Sequence, residues 1–400
     1  MGTGGAVSGA AALVVFWSAV GLILYAHFGY PVVLFLCYGW VQVRRDWQYL
    51  QARRDRRRGE LGDSELPAVT MMFAAYNEEE HLAEKIENIR LLDYPAEKLQ
   101  VVVVSDGSLD GTNAILAGVN DARYEIVIRE QRGGKCAALA VAVERARHSI
   151  LVLSDGSTMF APDALRKLVR HFSDAKIGAV CGSLSFYAAG EEAGQTEALY
   201  WKYETALRLM EARLGATLTP SGAIYAVRGE AYEPPTPDVL VDDILTLMNV
   251  RRAGYAVHYD PEAKAVDYPA SSVAGEFRRR VRIATGSFRA LPALLRVRKP
   301  AFTGFAFFSH KLLRWLLPLL GVLAFASNLF LLRQTLYQAT FAVQAAILLW
   351  AAVGFLFRGP LRGVRFSLVG YFFVAMQVAF LWGMLRALFG PREASWQRHP

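Results

Sequence analysis

Gln100-Val101-Val102-Val103-Val104-Ser105-Asp106-Gly107-Ser108 and Ile150-Leu151-Val152-Leu153-Ser154-Asp155-Gly156-Ser157 carry one pattern twice. In each, an apolar run without alternation ends in Ser-Asp-Gly-Ser. Such runs suit strands covered on both faces. In an open α/β sheet, ligands bind outside the carboxyl ends of the strands, so a carboxylate beside a glycine turn at that edge faces the crevice. A single Asp-Gly usually makes a turn and nothing more. Two at equivalent ends of one sheet point to a site.

The pattern extends in both directions. Strands are predicted over Ala68–Ala75, Gln100–Ser105, Tyr124–Ile128 and Ile150–Ser154. Helices are predicted over Glu78–Leu92, which opens on acids as helix N-termini prefer, and over Asp110–Ala117 and Lys135–Arg147. Alternating strand and helix gives an α/β domain with a mixed, mostly parallel sheet.

The flanks differ. The 400 residues are 54% hydrophobic and 20% charged, more apolar and less charged than an ordinary soluble protein at about 45–50% and 25%. This excludes a disordered chain and a plain soluble enzyme, because the apolar excess is concentrated at the two ends. No charge occurs from Gly2 to Val43, and three further charge-free stretches are Trp315–Leu332, Gln338–Phe357 and Phe366–Leu385. Each is long enough for one crossing of about 20 residues. The first stretch lacks a basic start and a small-residue cleavage site, so it reads as an uncleaved anchor. Seven arginines between Arg44 and Arg58 put the following region on the cytoplasmic side. The loop with Arg358, Arg362 and Arg365 suits the cytoplasm too. Three C-terminal crossings would leave Arg392 and Arg398 outside, whereas a re-entrant stretch would return them inside. Ser287–Lys299 alternates leucines and arginines as an amphipathic interfacial helix does.

The expected organisation is an anchor over 1–43, a basic juxtamembrane linker over 44–64, and a cytosolic catalytic domain over 65–286. An interfacial region over 287–314, three membrane segments over 315–388 and a tail over 389–400 follow. The net charge of +8 does not indicate nucleic acid, because the basic residues cluster beside membrane segments. Cys37, Cys136 and Cys181 stand far apart, without disulfide or zinc spacing, and the seven histidines show no metal spacing.

Ala74–Glu79, Val101–Thr112, Arg132–Leu139, Val152–Thr158, Ser221–Pro234, Val241–Ala263 and Phe277–Phe288 together resemble family 2 glycosyltransferases, specifically the membrane-embedded members that build exopolysaccharides or glycosylate lipids. The resemblance implies a GT-A fold and a nucleotide-sugar donor, a UDP-sugar by preference. It implies that Ala75, Tyr76, Glu78, Asp106, Lys135 and Asp155 bind the donor, with Lys135 and the Gly133-Gly134 amides suited to phosphate. The family's Asp-x-Asp, which binds Mg²⁺ or Mn²⁺, corresponds to Asp155-Gly156-Ser157, so Ser157 offers a hydroxyl where a second carboxylate is usual and the ligand role can pass to another group. Asp243 is the implied general base, with Asp242 as a metal or orienting neighbour, and Asp243 and Asp155 are expected on opposite sides of one cleft.

Arg279 and Arg282 fall where processive members have Gln-x-x-Arg-Trp. Arg282 keeps the arginine, on the diphosphate or acceptor side, while Ile283 replaces the tryptophan. Processive synthesis and single addition both stay open. The implied partners are a nucleotide-sugar donor, a lipid-linked or carbohydrate acceptor, membrane lipids and the subunits of a polysaccharide assembly. The implied location is the bacterial inner membrane, with the catalytic domain in the cytoplasm. The alternative is a catalytically degenerate nucleotide-sugar-binding subunit or regulator.

Overall fold

A computed structural model describes residues 3–52, 61–186, 203–218, 222–236, 239–268, 273–297, 300–357 and 365–390. The arginines at 53–58, Arg358, Arg362 and the tail from 391 lie outside the described residues. The chain divides into two compact units. One is built mainly from the residues up to Val33, Ala270–Arg289 and Phe305–Pro391, the other from Leu34–Pro269 and Ala290–Gly304.

The second unit holds a sheet of eight strands among the described residues: β1 (Val69–Ala75), β2 (Leu99–Asp106), β3 (Tyr124–Arg129), β4 (Ile150–Ser154), β5 (Met159–Phe160), β6 (Ile177–Phe186), β7 (Ile224–Arg228) and β8 (Ala256–Asp267). Their order is β3-β2-β1-β4-β7-β6-β8-β5. Strands β1 to β4 run parallel, as the alternating pattern predicts. Strand β7 enters antiparallel to both β4 and β6, and β6 pairs parallel with β8.

Every residue of β2 and β4 is buried, which is why neither alternates. Met71, Phe73, Val101, Val103 and Val152 face one core, while Met72, Val102, Val104, Leu151 and Leu153 face another. Each large side chain so buried contributes on the order of 1.5–3 kcal/mol. Two clusters on opposite faces therefore hold this edge rigid. The helix Glu79–Arg90 covers the first face with Leu82 and Ile89. The helix Lys135–Glu144 covers the second with Ala138, Leu139 and Ala142.

The helix Thr3–Leu24 passes through a π-helical turn, Tyr25–Gly29, into Tyr30–Ala52. In the first unit Ala19, Ala26, Leu313, Leu320 and Ala324 form one buried apolar cluster. A second π-helical turn spans Phe307–Leu312. The Tyr25 and Ser309 hydroxyls share a hydrogen bond of 2.9 Å, and Tyr30 stacks on His310. Among the described residues, three helical runs, Gly9–Gln51, Thr335–Leu356 and Gly370–Phe389, are long and apolar enough to cross a membrane. At the start of the charge-free stretch Trp315–Leu332, Ala301–Trp315 and Leu317–Leu329 meet at 60°, with Pro318 in the first turn of the second helix. One helix, Val273–Arg296, runs through positions 286 and 287.

Candidate active site

Strands β1, β2 and β4 run parallel in adjacent register, so their carboxyl ends share one edge. Ala75 and Asp106 are the last residues of β1 and β2, and Asp155 directly follows β4.

Asp106 organises the segment after β3. Its carboxylate accepts hydrogen bonds from the backbone amides of Gly133 at 2.9 Å and Gly134 at 2.6 Å, and from the Arg129 guanidinium. The two glycine amides expected to be open to phosphate are therefore engaged by a carboxylate. The reason is the same in either case: an anion belongs at the start of the helix Lys135–Glu144. Gly134 carries φ +90° and Gly107 φ +70°, a left-handed backbone that glycine adopts without strain. At Gly107 there is also no room, since a Cβ would stand 2.9 Å from the Arg132 amide nitrogen.

Pinned in this way, the helix start delivers Lys135. Its Nζ lies 2.6 Å from Asp155 Oδ1 and 3.6 Å from Asp242 Oδ2. Burial alone would lower the lysine pKa. The carboxylates of Asp155, Asp242 and Asp243 outweigh it and hold the ammonium firmly charged. Asp242 and Asp243 open the helix Asp242–Arg252. Asp243 Oδ1 accepts from the Ile244 amide at 2.8 Å, and a Cβ on Gly222 would come within 3.2 Å of its Oδ2.

Tyr76 follows β1, and the Arg132 guanidinium sits 3.8 Å over its ring. The next residue, Asn77, has φ 53° and accepts from the Leu109 amide at 2.9 Å. Glu78 is buried; its amide donates to Thr112 Oγ1 at 2.8 Å, and a Cβ on Gly156 would meet its carboxyl carbon at 3.2 Å. The structure thus brings Ala75, Tyr76, Glu78, Asp106, Lys135, Asp155, Ser157, Asp242 and Asp243 into one unit. Arg279 and Arg282 belong to the other unit, where Arg279 pairs with Glu276 at 3.5 Å.

Two residues here were not singled out in the sequence. Lys85 occupies the buried stripe of its helix with Leu82 and Ile89. A lysine at i+3 in an apolar stripe was the available signal. Its Nζ donates to Ser154 Oγ at 2.8 Å and to the Thr158 carbonyl, and lies 4.8 Å from the Phe160 ring centre. Burial pushes its pKa down to about 7, against the opposing pull of Asp155 and Asp267. The other is Asp267, at the end of β8, whose Oδ1 accepts from the Tyr268 amide at 2.9 Å. Burial, and next the charge of Asp155, raise its pKa.

Among the described residues no cluster of three or more His, Cys, Asp or Glu is arranged to hold a metal ion. The oxygens of Asp155 and Ser157 are hard donors of the kind Mg²⁺ and Mn²⁺ take. Such ions are usually held by one or two carboxylates, with phosphates and water completing the shell.

Residues 67–286, over half of the chain, match the model of the family described as glycosyltransferase like family 2. The chain is 24% identical over 238 residues to a poly-beta-1,6-N-acetyl-D-glucosamine synthase of Staphylococcus aureus, covering 58% of this chain and 57% of that protein. It is 29% identical over 243 residues to an N-acetylglucosaminyltransferase of Mesorhizobium japonicum, covering 56% of each. The chain thus spans little more than half the length of these relatives. A mannosyltransferase from Pyrobaculum calidifontis, solved in complex with GDP-Man and Mn²⁺, has the same fold, with a TM-score of 0.69 and 22% identity over 96% of this chain and 99% of that one. The expected GT-A-like α/β architecture is the one found.

Proposed function

The chain belongs to glycosyltransferase family 2, and we propose that it moves a sugar from a nucleotide-diphosphate donor, preferentially a UDP-sugar, to a lipid-linked or polysaccharide acceptor with inversion. The observation that carries this reading is Lys135, whose ammonium joins Asp155 at the end of β4 to the Asp242-Asp243 helix start. One cation there stands between the edge where a donor binds and the carboxylate that would serve as base.

The chemistry follows from the charges. Departure of the donor's diphosphate releases negative charge, and Lys135 is a fixed positive charge at that edge. Asp155 and Ser157 would hold Mg²⁺ or Mn²⁺, which would supply further positive charge against the same diphosphate. Asp243 takes the proton of the acceptor hydroxyl as that oxygen attacks the anomeric carbon. Inversion requires base and leaving group on opposite faces of the sugar. Tyr76 offers a ring face to the nucleobase, with Arg132 above it. The apolar helices suit a catalytic unit held at the cytoplasmic face of a bacterial inner membrane, where a lipid-linked acceptor arrives laterally.

The test offers a panel of UDP- and GDP-sugars to detergent-purified protein with membrane lipid extract as acceptor. The reading expects one donor to give a glycosylated lipid or polymer. Donor binding without product under every acceptor condition would favour a regulatory subunit, which Ser157 in place of the second acid motivates.

A further inference from the structure

We infer that Lys85 is a positioning residue of the donor site: from inside the core it fixes the backbone of the Asp155-Gly156-Ser157 turn, and with it the place where Asp155 meets the donor's diphosphate. This rests on the donor-binding reading above and adds to it a side chain that touches no substrate.

The hydrogen bonds around the turn form a closed ring. Lys85 Nζ donates to Ser154 Oγ at 2.8 Å, just before the turn, and to the Thr158 carbonyl, just after it. Ser154 Oγ in turn donates to the Asp155 carbonyl at 3.2 Å, and the Thr158 amide donates to that same carbonyl at 3.3 Å. One lysine thus holds the Asp155 backbone, while another, Lys135, holds its carboxylate at 2.6 Å. Lys85 is fully buried, with the Phe73 and Phe160 ring centres 5.7 and 4.8 Å from its Nζ. An amine is costly to bury unless its N–H groups are used, so packing alone would favour an apolar residue in the stripe of Leu82 and Ile89. Both bonds of the amine go to the turn, and they need only two N–H groups, which it has in either protonation state.

The helix that carries Lys85 also fixes the other side of the donor site. Glu79–Arg90 starts directly after Glu78, whose amide donates to Thr112 Oγ1 at 2.8 Å. Gly156 is seated against Glu78 so closely that a Cβ would stand 3.2 Å from its carboxyl carbon. Three residues after Lys85, on the same helix face, Asn88 pairs with both backbone groups of Phe160. Its Nδ2 donates to the carbonyl and its Oδ1 accepts from the amide, both at 2.8 Å. One helix therefore ties the Tyr76–Glu78 segment, which the proposed function gives to the nucleobase, to the segment 154–160, which it gives to the phosphates. Lys85 is the tie nearest Asp155.

The experiment measures UDP and UMP binding to the detergent-purified full chain by calorimetry in one Mg²⁺ buffer, with urea unfolding to confirm that each variant is folded. The variants are Lys85→Met, Ser154→Ala and Ile89→Val. Ser154→Ala opens the ring at a small side chain; Ile89→Val thins the same buried stripe without touching the ring. Lys85→Met is expected to bind UDP about tenfold or more weakly, the lower end of what loss of an outer-shell partner costs, and to bind UMP nearly as the wild type does. Ser154→Ala is expected to show the same selective loss, and Ile89→Val to match the wild type with both nucleotides. Wild-type UDP affinity in Lys85→Met, or in Ser154→Ala should the first variant not fold, overturns the inference and leaves the donor-binding reading standing. A parallel loss of UDP and UMP, or an equal loss in Ile89→Val, overturns it too, because either makes the lysine a packing residue. Failure of the wild type to bind UDP overturns the reading on which it rests.

Discussion

Lys135 Nζ and Asp155 Oδ1 stand 2.6 Å apart, joining the first turn of the helix after β3 to the turn after β4. The contact depends on Asp106, which holds Gly133 and Gly134 and so sets where that helix begins. Two Asp-Gly turns of identical sequence thus do different work. One carboxylate is consumed in building the site, and the other is presented in it with about a third of its side chain exposed, 38%.

Removing the ammonium tests that division. Lys135→Met leaves the Asp155, Asp242 and Asp243 carboxylates without the ammonium that lies among them, at the edge where the proposed function puts the diphosphate. Donor affinity measured by calorimetry is expected to fall tenfold or more, about 1.4 kcal/mol, with Lys135→Arg retaining part of it. Unchanged affinity would place the diphosphate elsewhere.

Gly107→Ala probes the building role of Asp106. A side chain there meets both a left-handed backbone at φ +70° and the Arg132 amide at 2.9 Å. Strain of this kind costs on the order of 1–3 kcal/mol. Urea unfolding followed by near-ultraviolet circular dichroism is expected to shift by that amount, with donor affinity falling in parallel because the 129–134 segment is displaced.

Lys85 gives a pH dependence with a definite sign. Its pKa is lowered to about 7 in the folded state, whereas an unfolded chain keeps a lysine protonated up to about 10.4. Between these values the unfolded state binds more protons, so this group makes stability rise with pH from about 7 to about 10. Compared with Lys85→Met, wild-type protein is expected to gain stability between pH 7 and 9.5 in chemical denaturation. A parallel profile for the two proteins would contradict this.

In the other unit, Gly383 lets two helices touch. Thr285 Oγ1 donates to the Val281 carbonyl at 2.8 Å and to the Gly383 carbonyl at 3.2 Å, and a Cβ at 383 would lie 2.5 Å from the Ala284 Cβ and 2.7 Å from the Val281 carbonyl oxygen. Gly383→Ala is expected to lower the thermal midpoint in detergent by an overpacking cost of about 1–3 kcal/mol. Gly321→Ala, where a Cβ meets nothing within 4 Å, is expected to leave it unchanged.

The parts of the fold legible in the sequence were those with local signals. β1, β2 and β4 announce themselves by unbroken burial, and β4 begins and ends where the sequence places it, at Ile150 and Ser154. The strands β6, β7 and β8 carry no such mark, because their pairing joins segments far apart and mixes directions. The same limit explains the site. Asp106, Lys135 and Asp155 follow from strand ends and a helix start. Lys85 looks like one more polar helix residue until its stripe is counted, and the end of β8 comes beside β5, just after the Asp155–Ser157 turn, only through a pairing far apart in sequence. The break at Leu316 likewise reflects a bend that hydropathy does not encode.

The central claim is that the Asp242-Asp243 helix start supplies the base for sugar transfer at the Lys135 edge. The most direct measurement is nucleoside diphosphate release by the purified protein and by Asp243→Asn, with donor binding followed alongside. The account predicts that Asp243→Asn binds donor as the wild type does and turns over about 10²–10⁴-fold more slowly. Equal turnover by the two proteins would contradict it.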